Sequence, residues 1–236
     1  MIRMITKIKE LLGDMFYTVF PDLCIACINQ PKTRNGSFCV NCLHQMPYTD
    51  HFIIKDNTVT KHFKGRVPLV HGAALLSFRN QGNIRNMLHG LKYKGRRETG
   101  NILGEIAGEK LLASILFGRP DIIIPIPIHD KKKLLRGYNQ SSVFGQGVST
   151  TSGIKMYEKT LIKYTETSSQ TGKSRTDRVK NVSSTFEIKS PEVIIGKHVL
   201  VVDDVVTTGA TLEACCLLLL KAGAIKISIL TIAAAE

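Results

Sequence analysis

Val199-Leu200-Val201-Val202-Asp203-Asp204-Val205-Val206-Thr207-Thr208-Gly209-Ala210-Thr211 decides the fold. The first four residues are apolar, mostly β-branched and without polar alternation, as in a parallel strand buried on both faces. Two carboxylates follow, and residues 211–221 read as a helix with Gly223 as the cap beyond its end. Residues 225–232 return as a strand, which makes a βαβ unit. Working outward, residues 73–78 and 121–128 read as strands, the second broken by Pro125 and Pro127. Residues 82–92, 97–117 and 139–151 read as helices, the middle one despite Gly100, Gly104 and Gly108. Alternating strands and helices predict an α/β domain.

The loop after the acids combines two opposed ligand preferences. Asp203 and Asp204 repel a bare phosphate, whereas Thr207, Thr208, Gly209, Ala210 and Thr211 offer hydroxyls, an adaptable glycine and the amides of a helix N-terminus. A sugar phosphate reconciles them. The phosphate sits in the loop, and the carboxylates accept hydrogen bonds from ribose hydroxyls, directly or through a Mg²⁺ ion that those hydroxyls ligate. A strand's carboxyl end is also where open α/β sheets bind ligands. Plain capping accounts for Thr207 or Thr208 but not for two adjacent acids.

Cys24-x2-Cys27 and Cys39-x2-Cys42 are two pairs with spacing suited to one tetrahedral zinc ion. The surrounding segment is poor in large apolar residues, so metal binding supplies folding energy that burial cannot. Four protein thiolates make a closed, structural site; disulfides are the alternative, disfavoured where thiols stay reduced. His44 is surplus to the set. Cys215 and Cys216, adjacent on a helix, read as small core residues.

Ile124-Pro125-Ile126-Pro127, then Arg136-Gly137-Tyr138-Asn139-Gln140, then Gln170 and the Arg178/Asn181-Val182/Phe186 spacing, together with the acidic stretch and the four cysteines, resemble the ComF family. The acidic stretch itself is similar to the signature with which type I phosphoribosyltransferases bind 5-phosphoribosyl-1-pyrophosphate (PRPP). The resemblance implies a type I phosphoribosyltransferase-like parallel sheet with helices on both faces, plus a small zinc-ribbon-like N-terminal module. It implies PRPP with Mg²⁺ as ligand. It puts a pyrophosphate-binding loop at residues 125–136, with His129, Lys133 and Arg136 as candidates and Lys131 and Lys132 beside them. A mobile loop follows at residues 167–178, with Lys173, Arg175 and Arg178. Lys163 stands where many relatives carry an arginine, which removes a bidentate contact. The resemblance also implies a part in DNA uptake during natural transformation, with single-stranded DNA and a DNA-uptake helicase or other competence proteins as partners.

Charge fits phosphate-rich ligands: the chain has 32 Lys+Arg against 19 Asp+Glu, and residues 131–180 hold 11 basic side chains against Glu158, Glu166 and Asp177. A solvated basic surface is the alternative. Lys92, Tyr93, Lys94, Arg96 and Arg97 form a second basic cluster, either part of a hood over an acceptor, a nucleic-acid contact by phosphate and stacking, or solvated surface. Hydrophobic content of 43% with 22% charged residues excludes a disordered class.

The expected organisation is an amphipathic helix over 1–20, a four-cysteine module over 21–50, a connector over 51–72 and the main domain over 73–236. In the first segment, Ile5, Ile8, Leu12, Met15 and Val19 form one stripe, suited to core docking or to a partner or membrane surface. Lys7, Lys9, Glu10 and Asp14 interrupt any signal-like apolar core, and no run reaches the roughly 18 residues of a membrane span. A cytoplasmic protein is expected. Three functions remain open: a PRPP-binding protein that handles single strands, a transferase that moves phosphoribose to an unidentified base or nitrogen acceptor, and, least favoured because the phosphate loop is undamaged, a structural zinc module on a degenerate domain.

Overall fold

The computed structural model describes residues 21–33, 36–78, 82–163 and 185–235. The amphipathic stripe over 1–20 and the candidates Gln170, Lys173, Arg175, Arg178, Asn181 and Val182 lie outside them. The chain divides into two compact units, Met1–Met46 and Pro47–Glu236.

In the first unit, the bridge Leu23↔Pro31 and the bonds Cys24 N to Gln30 O (2.8 Å) and Lys32 N to Asp22 O (2.9 Å) close a knuckle around Cys24 and Cys27. Ile28 turns it at φ 60°, a left-handed conformation that a β-branched residue rarely adopts. Cys39 is the N-cap of helix α1 (Val40–His44), its Sγ accepting from Cys42 N at 3.4 Å.

The second unit opens with α2 (Thr58–Phe63), inside the stretch read as a connector. Asn57 and Thr60 cap it reciprocally, and Val59, Phe63 and Val67 enter the core. Strand β1 (Leu69–Phe78) then begins earlier than expected. Helices α3 (Asn83–Tyr93) and α4 (Arg97–Ala113) lead to β2 (Ile122–Pro125). After β2 come α5 (Asp130–Arg136), α6 (Gln140–Ser152), β3 (Lys155–Met156) and β4 (Leu161–Lys163). The remainder is β5 (Phe186–Ile188), β6 (His198–Val206), α7 (Ala210–Lys221) and β7 (Lys226–Ala235).

Five strands form a parallel sheet in the order β1-β7-β6-β2-β3, and β4 pairs antiparallel with β5. The acids lie within β6 rather than at its end, since Asp203 pairs with Thr231 and Val205 with Ala233. Alternation along β6 assigns the two faces. Val199 and Val201 join Ile122, Ile124, Ile227 and Ile229 beneath α2 and α7, with the fully buried Cys215 and Cys216 in that layer. Burial and the Glu213 charge hold the Cys216 thiol well above its usual range, so it packs as an inert small residue.

On the opposite face, a Cβ built at Gly145 of α6 would lie 3.0 Å from Val202 Cγ2 and 3.6 Å from Ile123 Cγ2. Helix α4 covers α6 in turn. Their backbones meet at Gly104 and Gly147: a methyl on Gly104 would overlap Phe144 O, and one on Gly147 would overlap Asn101 O. The expected fold class is thus the one observed, with helices on both faces. Among the described residues, no helix is long and apolar enough to cross a membrane.

Candidate functional site

At the carboxyl ends of β2 and β6 a cavity of about 200 Å³ opens. Its walls include Asp203, Asp204 and Thr211 from the β6–α7 crossing, Lys92 from α3, His129, Lys132 and Arg136 around α5, and Gln140 and Ser141 from α6. The strand ends gather these side chains because the crossover helices all start or finish there, the position at which such sheets take ligands.

Asp203 accepts from Ser141 Oγ at 2.7 Å and from Asp204 N at 2.8 Å. Burial, then the adjacent Asp204 charge, push its carboxyl up to about 7; Ser141, the Asp204 amide and Lys92 pull the other way. Asp204 pairs with Lys92, Oδ2 to Nζ 2.8 Å. The acids therefore carry an internal cation, Lys92.

Beyond them the chain leaves β6 through exposed Thr207 and Thr208 into Gly209, the N-cap of α7, at φ 72°. Phe63 of α2 closes under this turn; a Cβ on Gly209 would lie 3.0 Å from its Cζ, so space and backbone angle both demand glycine. Below the loop, buried Glu213 takes Arg66 Nη1 at 2.9 Å. The stretch read as a connector thus braces the turn from β6 into α7.

The Arg136-Gly137-Tyr138-Asn139-Gln140 run folds into the cavity's second wall. Gly137 ends α5 at φ 77°. The Tyr138 hydroxyl donates to Leu91 O, tying this wall to α3. Asn139 caps α6 through Ser141 N (3.2 Å) and donates to Ile126 O (2.9 Å), fixing the Pro-x-Pro strand end. Arg136 donates to Gln140 Oε1 at 2.8 Å and covers the Tyr93 ring at 5.3 Å. Gln140 is buried, and its Nε2 has no hydrogen-bond partner among the described residues.

Of the pyrophosphate candidates, His129 and Arg136 line this cavity. Lys133 does not: it is exposed, pairs with Glu158 at 3.5 Å and lines an adjoining cavity of about 170 Å³ with Asp130, Lys159 and Leu161. Lys132 takes its place, since one residue along a helix turns a side chain by about 100°. Lys163, Pro127 and Ile128 line both cavities. Of the second basic cluster, Lys92 faces the cavity. Tyr93 is 63% exposed, Lys94 and Arg97 are exposed, Arg97 donates to Gly137 O at 2.7 Å and covers the Tyr138 ring, and Arg96 is half-buried. Sequence reasoning missed Ser141 and the Arg66–Glu213 pair. Ser141 had a signal, since Asn139 predicts a helix start at the same sheet end as Asp203.

In the N-terminal unit the Sγ atoms of Cys24, Cys27, Cys39 and Cys42 all lie within 4.8 Å of one another, Cys27 and Cys39 at 3.9 Å. Tetrahedral zinc with bonds of about 2.3 Å needs sulfurs about 3.8 Å apart, so the four fit a metal. Burial raises the Cys24 thiol, but the backbone N–H groups of Cys27, Cys39 and Ala26 outweigh it and bring it to about 7. Cys42 is pushed up by burial and by its sulfur neighbours.

The model of the phosphoribosyl transferase domain matches residues 143–236. DNA utilization protein YhgH of Escherichia coli O6:H1 is 30% identical over 214 residues, covering 88% of this chain and 82% of that protein. Competence protein F of Haemophilus influenzae is 29% identical over 192 residues, covering 81% and 76%. The chain belongs to the ComF family. Solved structures similar to this ComF chain include an allosteric regulatory enzyme of purine biosynthesis (18% identity, TM-score 0.42) and the glutamine PRPP amidotransferase of B. subtilis (17%, TM-score 0.42). Each aligns with 61% of the ComF chain, which spans 29% and 30% of their lengths.

Proposed function

We propose that this ComF protein binds PRPP with Mg²⁺ in the Asp203–Asp204 cavity and acts in DNA uptake and natural transformation by handling single-stranded DNA. The observation that carries the reading is one cavity in which two acids, suited to a ribose diol, face Lys92, Lys132, Arg136 and His129, suited to a diphosphate, beside the amides that open α7. Thr207, Thr208, Gly209, Ala210 and Thr211 hold the 5-phosphate, while Asp203 and Asp204 take the ribose hydroxyls or the Mg²⁺ they share. Mg²⁺ supplies charge neutralisation between the acids and the diphosphate when bound. Lys173, Arg175 and Arg178 are proposed to close over the ligand. Zinc is the proposed metal of the four cysteines, with a structural role, and a reduced, cytoplasmic compartment suits those thiols.

The names of the relatives support the DNA reading, and so does Tyr93, exposed with Arg136 across its ring, as a stacking platform beside Lys94, Arg96 and Arg97. A DNA-uptake helicase or another competence protein is the proposed partner. Titration of the full chain with PRPP and Mg²⁺ tests the cavity: Asp203→Asn/Asp204→Asn should abolish binding without unfolding, and undiminished affinity refutes the site. Single-strand binding at several salt concentrations tests the DNA role; a steep salt slope is expected, and no binding at low salt defeats it.

The second reading is an active phosphoribosyltransferase. The adjoining cavity favours it, because Pro127, Ile128, Leu161 and Ile162 offer an apolar floor for a planar acceptor next to the ribose-phosphate cavity. Departure of pyrophosphate builds positive charge at the anomeric carbon, so the basic wall would stabilise the leaving group. Pyrophosphate release across candidate bases separates the readings.

A further inference from the structure

We infer that Lys92 is a displaceable internal cation that keeps divalent metal off the acidic pair until the anionic ligand arrives. The inference rests on the ribose-phosphate reading above and assigns a role to a residue outside both the acidic signature and the Pro-x-Pro loop.

Lys92 sits in the last turn of α3, whose buried stripe is Ile84, Met87, Leu88 and Leu91. Four residues beyond Leu88, it lies on the flank of that stripe, and its alkyl stem carries the ammonium into the cavity. There Nζ lies 2.8 Å from Asp204 Oδ2, with the lysine side chain 26% and the aspartate 16% exposed. An ammonium in this position meets the carboxylate that a divalent ion would need. Metal binding to the unliganded site must break a partly desolvated ion pair and strand a lysine beside a doubly charged cation, both unfavourable.

The same geometry makes displacement easy when a sugar diphosphate is present. The opposite wall already carries Arg136, His129 and Lys132, so the diphosphate lies within the same 200 Å³ that holds Lys92. Lysine is a point charge on a flexible stem. Rotating it from Asp204 to a phosphate oxygen exchanges one anion for another without taking the charge out of the cavity. Metal and ligand are therefore coupled: each favours the arrangement in which Lys92 has left Asp204, and the coupling is reciprocal. The device prevents the acids from holding metal idly and from presenting two bare charges to an incoming polyanion.

The test uses Mn²⁺ as probe, measured by its paramagnetic signal, on the full chain with and without PRPP. In the wild-type protein Mn²⁺ alone should bind weakly, and PRPP should tighten it by roughly five- to 150-fold, the usual span of such couplings. Lys92→Met should bind Mn²⁺ alone at least about fivefold more tightly than wild type and lose most of the PRPP-induced gain. Lys92→Arg, which keeps the charge, should retain the weak metal affinity. Lys92→Gln serves as a second neutral replacement if the methionine variant misfolds. The K92M/D204N double variant should lose the gained Mn²⁺ affinity, which locates that metal at the acidic pair. Neutral variants with wild-type Mn²⁺ affinity overturn the inference alone. A wild-type chain that binds no PRPP at any metal concentration overturns the ribose-phosphate reading and this inference with it.

Discussion

Ser141 Oγ donates a 2.7 Å hydrogen bond to Asp203 Oδ1, joining the first turn of α6 to the strand that carries the acidic pair. This bond holds the Asp203 carboxylate against burial and the Asp204 charge, which together push it up to about 7.

A carboxyl raised above its ordinary range favours the folded state below the unfolded value of about 3.9, and that contribution is lost as pH rises through 7. Asp203→Asn should therefore be more stable than wild type at pH 8, by roughly 3 °C in Tm for each kcal/mol relieved, with the gain shrinking towards pH 4. Ser141→Ala removes a bond to the charged form and should move the pH midpoint of the proposed Mg²⁺-dependent PRPP binding upward. Thermal melts and titrations across pH 5 to 8.5 measure both. A Tm difference that does not change with pH would rule out the buried like-charge pair as its cause.

Close approach of α4 and α6 makes a second, purely steric prediction. Gly104→Ala sets a methyl against the carbonyl oxygen of Phe144, a backbone atom that cannot turn aside. The cost should be about 3 kcal/mol, well beyond the roughly 1 kcal/mol that alanine gains in a helix. Gly90→Ala is the control: its methyl meets the Arg96 side chain, Cδ at 2.9 Å, which can swing away, so the change should be near neutral. Equal urea midpoints for the two variants would contradict the packing described.

The sheet and the turn from β6 into α7 were legible because a continuous β-branched run, two acids and a glycine leave little choice of structure. Helix α5 was not: it buries no residue, and Leu134 and Leu135 are 88% and 83% exposed, so no apolar periodicity marks it. Helix α2 is too short to show a period, and its signal, Asn57 with Thr60 three residues on, lacks the acidic partner usual in a capping box. Of the basic residues, sequence could name the clusters but not the member that turns inward. Lys92 had a signal in its spacing from Leu88, whereas Lys132 rather than Lys133 follows from where α5 begins, and sequence leaves that boundary uncertain by a few residues.

The four sulfurs of the N-terminal unit predict zinc at a ratio of one ion per chain by native mass spectrometry. Cys42→Ser should abolish it, because Cys42 is buried and its sulfur is one of four that converge within 4.8 Å. Zinc release on adding a chelator should be accompanied by loss of structure around Cys24–Cys42, read as new protease sensitivity there, since little apolar burial holds this segment. Full metal content in the serine variant would exclude a four-sulfur site.

Arg66 and Glu213 offer a cycle that separates bracing from simple attraction. Glu213 is 7% exposed and lies in the first turn of α7 just after Gly209, while the Arg66 side chain is 28% exposed. Removing the arginine strands a buried carboxylate, so Arg66→Met should cost about 2 kcal/mol, less than a fully buried pair because solvent reaches the arginine. Glu213→Gln leaves a neutral acceptor and should cost less. The double variant should be more stable than Arg66→Met alone, because no uncompensated charge remains. Chemical denaturation gives the three values. Additive costs would mean that the two residues act independently, and the brace beneath Gly209 would then rest on Phe63 alone.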